Sequence, residues 1–352
     1  MMEKTTKPAP FLENIACIVF DMDGVITSEQ NYWNAAALTV YEILHGKHCN
    51  GYQDIKTALT EQEIKHIREQ IFVQDKMIAL LKDRGVNTNW DLAYVTICGA
   101  RILSTTDYEE VYQYFLAREL TGMEIYDFIS DKLAGLTGMD KSYFKRQGAF
   151  WEKCQRVFQS WYLGDEAYVK TYGDGALLKG KKGLMYSENP IIPLDKVKMI
   201  LKTLFDAGIQ MGIGTGRPYT EIHTPLMQWD IAQYFDRGAY VTYTDVEKAE
   251  EKLRDNQNIE SLAKPHPYVF LKAIYKDRYS DEELLNAQYD KRLLGRTLIV
   301  GDAGSDIMAA KAIECPFAAV LTGVMGQNAK AYFQEMGATY ILNDISELID
   351  YA

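Results

Sequence analysis

Six residues from Ile15 to Phe20 carry no charge and end abruptly at Asp21. A short uniformly apolar run of this kind predicts a strand buried on both faces. After it the period changes. Ile64, Ile67, Ile71, Ile78 and Leu81 keep one helical face apolar, with Gly85 as a stop. Phe150, Trp151, Cys154, Val157, Phe158 and Trp161 do the same with bulkier side chains, ending near Gly164 and Asp165. The pattern stays helical to about residue 175 and predicts a helical bundle.

A loop rich in Gly and Lys, Gly173 to Gly183, leads to Ser187-Glu188-Asn189-Pro190 and Pro193, a set of breakers that reads as a hinge or linker. Beyond it, strand and helix alternate. Val197, Ile200, Leu201, Leu204 and Phe205 form a helical face closed by Gly208, and Ile209 to Ile213 reads as the next strand. Further strands are predicted at Ala239 to Tyr243, Thr297 to Val300, Phe317 to Leu321 and Thr339 to Leu342. Alternation of this kind predicts an α/β core with a central parallel sheet covered on both faces. Two charge-dense stretches, Val246 to Ser261 and Asp277 to Arg292, read as solvated helices decorating that core.

Composition narrows the function class. At 352 residues, 47% hydrophobic and 25% charged, the chain has room for two domains. A formal net charge of −11 argues against nucleic acid or an anionic membrane as partner, since either needs a basic face. The five cysteines are odd in number and lack any C-x-x-C pair, so they read as reduced buried thiols rather than a disulfide framework or a zinc site. The N-terminus has no apolar targeting segment and no later stretch is apolar enough to span a bilayer, so a cytoplasmic location is expected.

In a parallel α/β sheet, ligands collect at the carboxyl ends of the strands. The first strand delivers Asp21 and Asp23, the second Thr215, the segment after the third Lys264, and the fourth Gly301-Asp302-Ala303-Gly304-Ser305-Asp306. Burying carboxylates at a strand exit is costly without a cation or a reaction that uses them. Acids, a hydroxyl and one lysine at one edge suit phosphoryl transfer, in which magnesium takes hard oxygen ligands and the transferring group takes cations and hydrogen-bond donors.

Asp21-Met22-Asp23-Gly24-Val25, Thr215-Gly216-Arg217, Lys264-Pro265 and Gly301-Asp302-x-x-x-Asp306 resemble, in order and context, the four motifs of the haloacid dehalogenase-like hydrolase superfamily. The resemblance implies a Rossmann-like three-layer catalytic core over residues 12–26 and 189–352, with a mainly α-helical cap domain over 27–188. An insert at that position is similar to the cap of the subfamily that includes phosphoglycolate phosphatase and β-phosphoglucomutase.

The same resemblance implies roles. Asp21 is expected to attack phosphorus and form an aspartyl-phosphate, and Asp23 to protonate the leaving alkoxide and then activate water. Thr215, with the Gly216 amide beside it, is expected to bind a phosphoryl oxygen, and Lys264 to pair with the phosphoryl group. Asp21, Asp302 and the backbone carbonyl of Asp23 are expected to hold Mg2+. Asp306 is read as a direct ligand, a ligand through water, or a support for Lys264. Gly24, Gly216 and Arg217 complete the expected substrate contacts, although salt-bridging within the core competes for Arg217. Lys179, Lys181, Lys182 and Arg101 have two readings, substrate contact and ordinary solvated or structural side chains. His266 is read as structural.

Retention of Asp23 disfavours the dehalogenase branch, because a halide leaving group needs no proton. The reading that results is a magnesium-dependent phosphatase acting on a small phosphorylated metabolite. The alternatives are a phosphomutase acting on a sugar phosphate and a non-catalytic sensor that binds a phosphometabolite. Neither the substrate nor the oligomeric state is fixed by these motifs.

Overall fold

The computed structural model describes residues 6–86, 88–253 and 261–351. The chain divides into two compact units. One comprises Met1–Ser28 and Glu188–Ala352, the other Glu29–Ser187.

The first unit is built on eight strands: β1 (Thr6–Pro8), β2 (Cys17–Phe20), β3 (Gln210–Gly214), β4 (Tyr240–Val241), β5 (Thr297–Gly301), β6 (Phe317–Val320), β7 (Tyr340–Leu342) and β8 (Ile349–Tyr351). Six form one sheet in the order β4-β3-β2-β5-β6-β7, with every neighbouring pair parallel. Parallel pairing explains the unbroken apolar runs. Ile18, Phe20, Leu298 and Val300 enter the core on one face of the sheet, while Val19, Ile299 and Phe317 enter the core on the other. Full burial of such a side chain contributes on the order of 1.5–3 kcal/mol.

Register places the chemistry. Phe20 pairs with Ile213 on one side and with Val300 on the other, so Asp21 and the residues just after β3 and β5 emerge at the same edge. Chain order reverses between β2 and β5. Ligand crevices in open α/β sheets form at such a switch point. The β1–β8 antiparallel pair, which joins the two ends of the chain, has no counterpart in the hydrophobic pattern because each strand is only three residues long.

The second unit is helical: α1 (Gln30–His45), α2 (Glu61–Ile71), α3 (Lys76–Asp83), α4 (Asn89–Leu103), α5 (Tyr108–Leu116), α6 (Met123–Thr137) and α7 (Ala149–Tyr172). Its core forms where α1 packs against α2, α4 and α7. The stripe from Ile64 to Leu81 predicts one helix; the chain makes two. Val73, Gln74 and Asp75 all take positive φ, and the break lets both Phe72 and Met77 reach full burial. The bulky stripe predicts an end near Gly164. The helix breaks there (φ 75°, ψ 167°) and continues as a second segment. A Cβ at Gly164 would lie 2.6 Å from the carbonyl carbon of Lys182, so the crossing loop requires glycine at that point.

Of the charge-dense stretches, the first carries a helix at Tyr243–Leu253, residues 254–260 of it lying outside the described residues. The second yields two short helices, Asp281–Asn286 and Lys291–Leu294. The five cysteines are free thiols. Among the described residues no helix is long and apolar enough to cross a membrane.

Lys181 resolves one sequence ambiguity. Lys179 and Lys182 are exposed, but Lys181 is buried and sits 2.6 Å from the Glu42 carboxylate and 2.6 Å from the Ser160 hydroxyl. Both side chains of the ion pair are fully shielded from solvent. Removing one partner of such a pair leaves the other charge buried. Lys181→Met is therefore expected to destabilise the helical unit by about 3–5 kcal/mol in a urea titration; a loss below ~1 kcal/mol would mean that the pair is dispensable.

Candidate active site

Asp21 follows β2 directly and is 6% exposed, its amide donating to the Val300 carbonyl at 2.9 Å. The chain then turns tightly, with the Met22 carbonyl accepting from the amides of Ile26 and Thr27, both at 2.9 Å. Gly24 takes φ 68° in this turn, a backbone state that suits glycine.

Lys264 stands between two acids. Its Nζ lies 2.9 Å from Asp21 Oδ1 and 2.7 Å from Asp306 Oδ1. Asp306 is fully buried in the first turn of the helix Gly304–Ala312, where its other oxygen accepts from the Ala303 amide at 3.2 Å. Of the three readings of Asp306, support for Lys264 is therefore realised, and its position also leaves it available as a ligand. The Lys264–Pro265 peptide is cis.

Asp21, Asp302 and Asp306 each offer a carboxylate oxygen within 4.8 Å of the others. This donor set suits a hard divalent cation. Burial, together with the charges of Asp306 and Asp23, outweighs Lys264 and lifts Asp21 to about 7. Lys264 is raised in turn: Asp21 and Asp306 outweigh the effect of its burial. The backbone around Asp302 is bare for a steric reason. A Cβ on Gly24 would lie 2.3 Å from Asp302 Oδ2, and one on Gly323 would lie 2.0 Å from it. These two glycines form a cradle that fits a carboxylate and little else.

Asp23 stands apart from the acidic cluster. Its carboxylate accepts from Arg217 Nε at 3.0 Å on each oxygen, from Arg217 Nη2, and from the Thr27 hydroxyl at 3.3 Å. Arg217 is 2% exposed, and its Nη1 reaches Glu188 Oε1 at 3.3 Å. The guanidinium that sequence assigns to substrate contact is thus turned onto two carboxylates. Thr215, 1% exposed, is the first residue after β3; its hydroxyl accepts from the Arg217 amide at 3.2 Å. Gly216 is exposed, with no atom within 4 Å of where its Cβ would be, so the turn leaves space beside Thr215. Both backbone groups of Gly24 are used internally, the amide by Thr27 and the carbonyl by the Thr322 hydroxyl. Its contribution is space for Asp302. His266 accepts from the Tyr268 amide at 3.2 Å and serves the local turn.

Three residues were not found from sequence: Glu188, Thr322 and Gly323. Thr322-Gly323 follow β6 almost directly, at the same edge as the other motifs, so the strand-end rule could have reached them. Glu188 sits among hinge breakers, where nothing in the sequence marks a buried acid.

A cation must displace the proton that Asp21 retains below about 7. Calorimetric titration with magnesium is expected to show affinity rising about tenfold per pH unit up to that value and flattening above it. Gly323→Ala should weaken binding throughout by pushing Asp302 out of its cradle. No binding of magnesium, or an affinity unchanged in the variant, would remove this cluster as a metal site.

A family model described as HAD-hydrolase-like matches residues 261–348. No curated protein matches the chain. An X-ray structure of a Northeast Structural Genomics Consortium target is 30% identical, with 95% of this chain and 97% of that chain covered and a TM-score of 0.81. A candidate haloacid dehalogenase-like hydrolase of Bacteroides fragilis is 16% identical, covering 95% and 99%, with a TM-score of 0.47. A candidate HAD-hydrolase of Bacillus subtilis bound to magnesium is 15% identical, covering 95% and 96%, with a TM-score of 0.43. The last two of the four motifs, at Lys264 and at Asp302–Asp306, fall within residues 261–348, the stretch of this chain that is similar to the HAD-hydrolase-like family.

Proposed function

We propose that this protein is a magnesium-dependent phosphatase that hydrolyses a small phosphorylated metabolite through an aspartyl-phosphate on Asp21. The observation that carries the reading is the separation of the first two acids. Asp21 belongs to the Asp302–Asp306–Lys264 cluster, whereas Asp23 is held outside it by Arg217. Attack on phosphorus and proton transfer are separate jobs, which two acids in different surroundings can divide.

In the first step, an Asp21 Oδ forms a bond to phosphorus and the ester P–O bond breaks. Asp23, entering as the carboxylic acid, gives its proton to the departing alkoxide. In the second step Asp23, now the carboxylate, takes a proton from water as the water oxygen bonds to phosphorus. The bond from phosphorus to Asp21 breaks, inorganic phosphate leaves, and both aspartates return to their starting states. Lys264 and the Thr215 hydroxyl bind phosphoryl oxygens through both steps. Asp21, Asp302, the Asp23 carbonyl and, directly or through water, Asp306 would hold magnesium, which supplies charge neutralisation between a carboxylate and an anionic phosphate.

The helical unit, inserted five residues after Asp23, is read as the cap that selects the substrate. Its two connections support that reading. Ser28 donates to the Asn189 carbonyl at 2.8 Å and Ile191 to the Ile26 carbonyl at 2.9 Å, so the chain leaves and returns along one paired segment. Glu188, where the chain returns into that segment, is the residue that Arg217 grips together with Asp23.

A panel of phosphorylated metabolites assayed with magnesium is expected to give inorganic phosphate from at least one member. Asp21→Asn should abolish that release, and Asp23→Asn should lower it by ~10²-fold or more. Conversion of a sugar phosphate to its isomer without phosphate release would replace the phosphatase with a mutase. Binding without turnover across the panel would leave a sensor.

A further inference from the structure

We infer that the helical unit carries a second binding site, for an organic carboxylate with an apolar body. The site is a cavity of about 420 Å3 lined entirely by residues of that unit. This is at the small end of the range for organic ligands, roughly 300–1,000 Å3. Ile43, Leu133 and Phe144, each at most 2% exposed, back the cavity, and the surface it offers is shared between polar and apolar atoms. Leu136 stands on its rim at 63% exposure, so apolar surface continues outward to solvent.

One wall is charged. Arg101, in the last turn of α4, lays its guanidinium over the Phe150 ring at 4.4 Å from the centroid. No carboxylate among the described residues lies within 4.0 Å of it. That is unusual in a chain with a formal net charge of −11, where acids outnumber bases. The nearby buried acid, Glu42, is already engaged by Lys181 and His48. Asn50 lines the same cavity, and its carboxamide makes no hydrogen bond to any described residue.

The Arg101 guanidinium and the exposed Asn50 amide, both in the lining, supply hydrogen-bond donors for the two oxygens of a carboxylate. A phosphate dianion would call for a second cation, which the lining does not include. Leu44 and Leu136, the apolar lining side chains that do present surface, then take an aliphatic or aromatic body of moderate size. The lining starts three and a half turns along α1 from the point where the chain enters the unit, and contains none of the strand-end motif residues. Occupancy therefore does not depend on the catalytic assignment.

Octanoate is a suitable probe, titrated by calorimetry into the full chain. It is expected to bind one molecule per chain. Octanol, with the same body and no charge, and acetate, with the same head and no body, should each bind at least tenfold more weakly, the scale of one charge-assisted hydrogen bond. Arg101→Gln removes no ion pair and should cost about tenfold or more in octanoate affinity. Asn50→Gly keeps the left-handed backbone at that position (φ 72°) while deleting the amide, and should cost about fivefold. The second variant decides the matter if the first fails to fold. No octanoate binding at millimolar concentration, equal binding of octanol, tighter binding of octyl phosphate, or an unchanged affinity in Asn50→Gly would each overturn the proposal.

Discussion

Two carboxylates, Asp21 and Asp306, are buried on either side of one ammonium group at the carboxyl edge of a parallel sheet, and the catalytic half of the molecule is organised around that contact. Lys264 lies 2.9 Å from one and 2.7 Å from the other. Burial, with the charges of Asp306 and Asp23, outweighs this single cation and lifts Asp21 to about 7. A divalent ion among these oxygens would offset those charges. The sheet register brings Asp21 and Asp302 to one edge, and the glycines at 24 and 323 give Asp302 room to lie against backbone.

The second cation of the region, Arg217, does a different job. By gripping Asp23 and Glu188 it joins the turn after β2 to the segment on which the chain returns from the helical unit. The two acids of the first motif are thereby given separate environments, one in the cluster and one outside it. A phosphatase reading makes use of that difference, since attack on phosphorus and proton transfer need different groups in different places.

Much of this was legible in the sequence for physical reasons. Strands buried on both faces leave unbroken apolar runs, so Cys17–Phe20, Gln210–Gly214 and Thr297–Gly301 were visible, and polar residues directly after them marked the edge. Asp21, Thr215 and Asp302 could be placed from strand ends, whereas Lys264 and Asp306 were placed by the order of the motifs. What was not legible depended on contacts between distant residues. The break at Val73–Asp75 lies inside a continuous apolar stripe, because periodicity records which residues are buried and not whether the axis bends between them. For Arg217, substrate contact and salt-bridging within the core both stayed open, because nothing local shows that Glu188 and Asp23 converge on it. Lys181 looked like a linker lysine because its partner, Glu42, lies far upstream.

The phosphatase reading rests on Asp21 as the carrier of the phosphoryl group. The direct measurement is to quench the reacting protein with acid during turnover of a substrate that releases phosphate, reduce it with borohydride, and map the modified residue by mass spectrometry. Reduction of the acyl-phosphate is expected at Asp21 and nowhere else, and is lost in Asp21→Asn. Turnover with no trapped adduct on Asp21, or an adduct on Asp23 or Asp302, would contradict that reading.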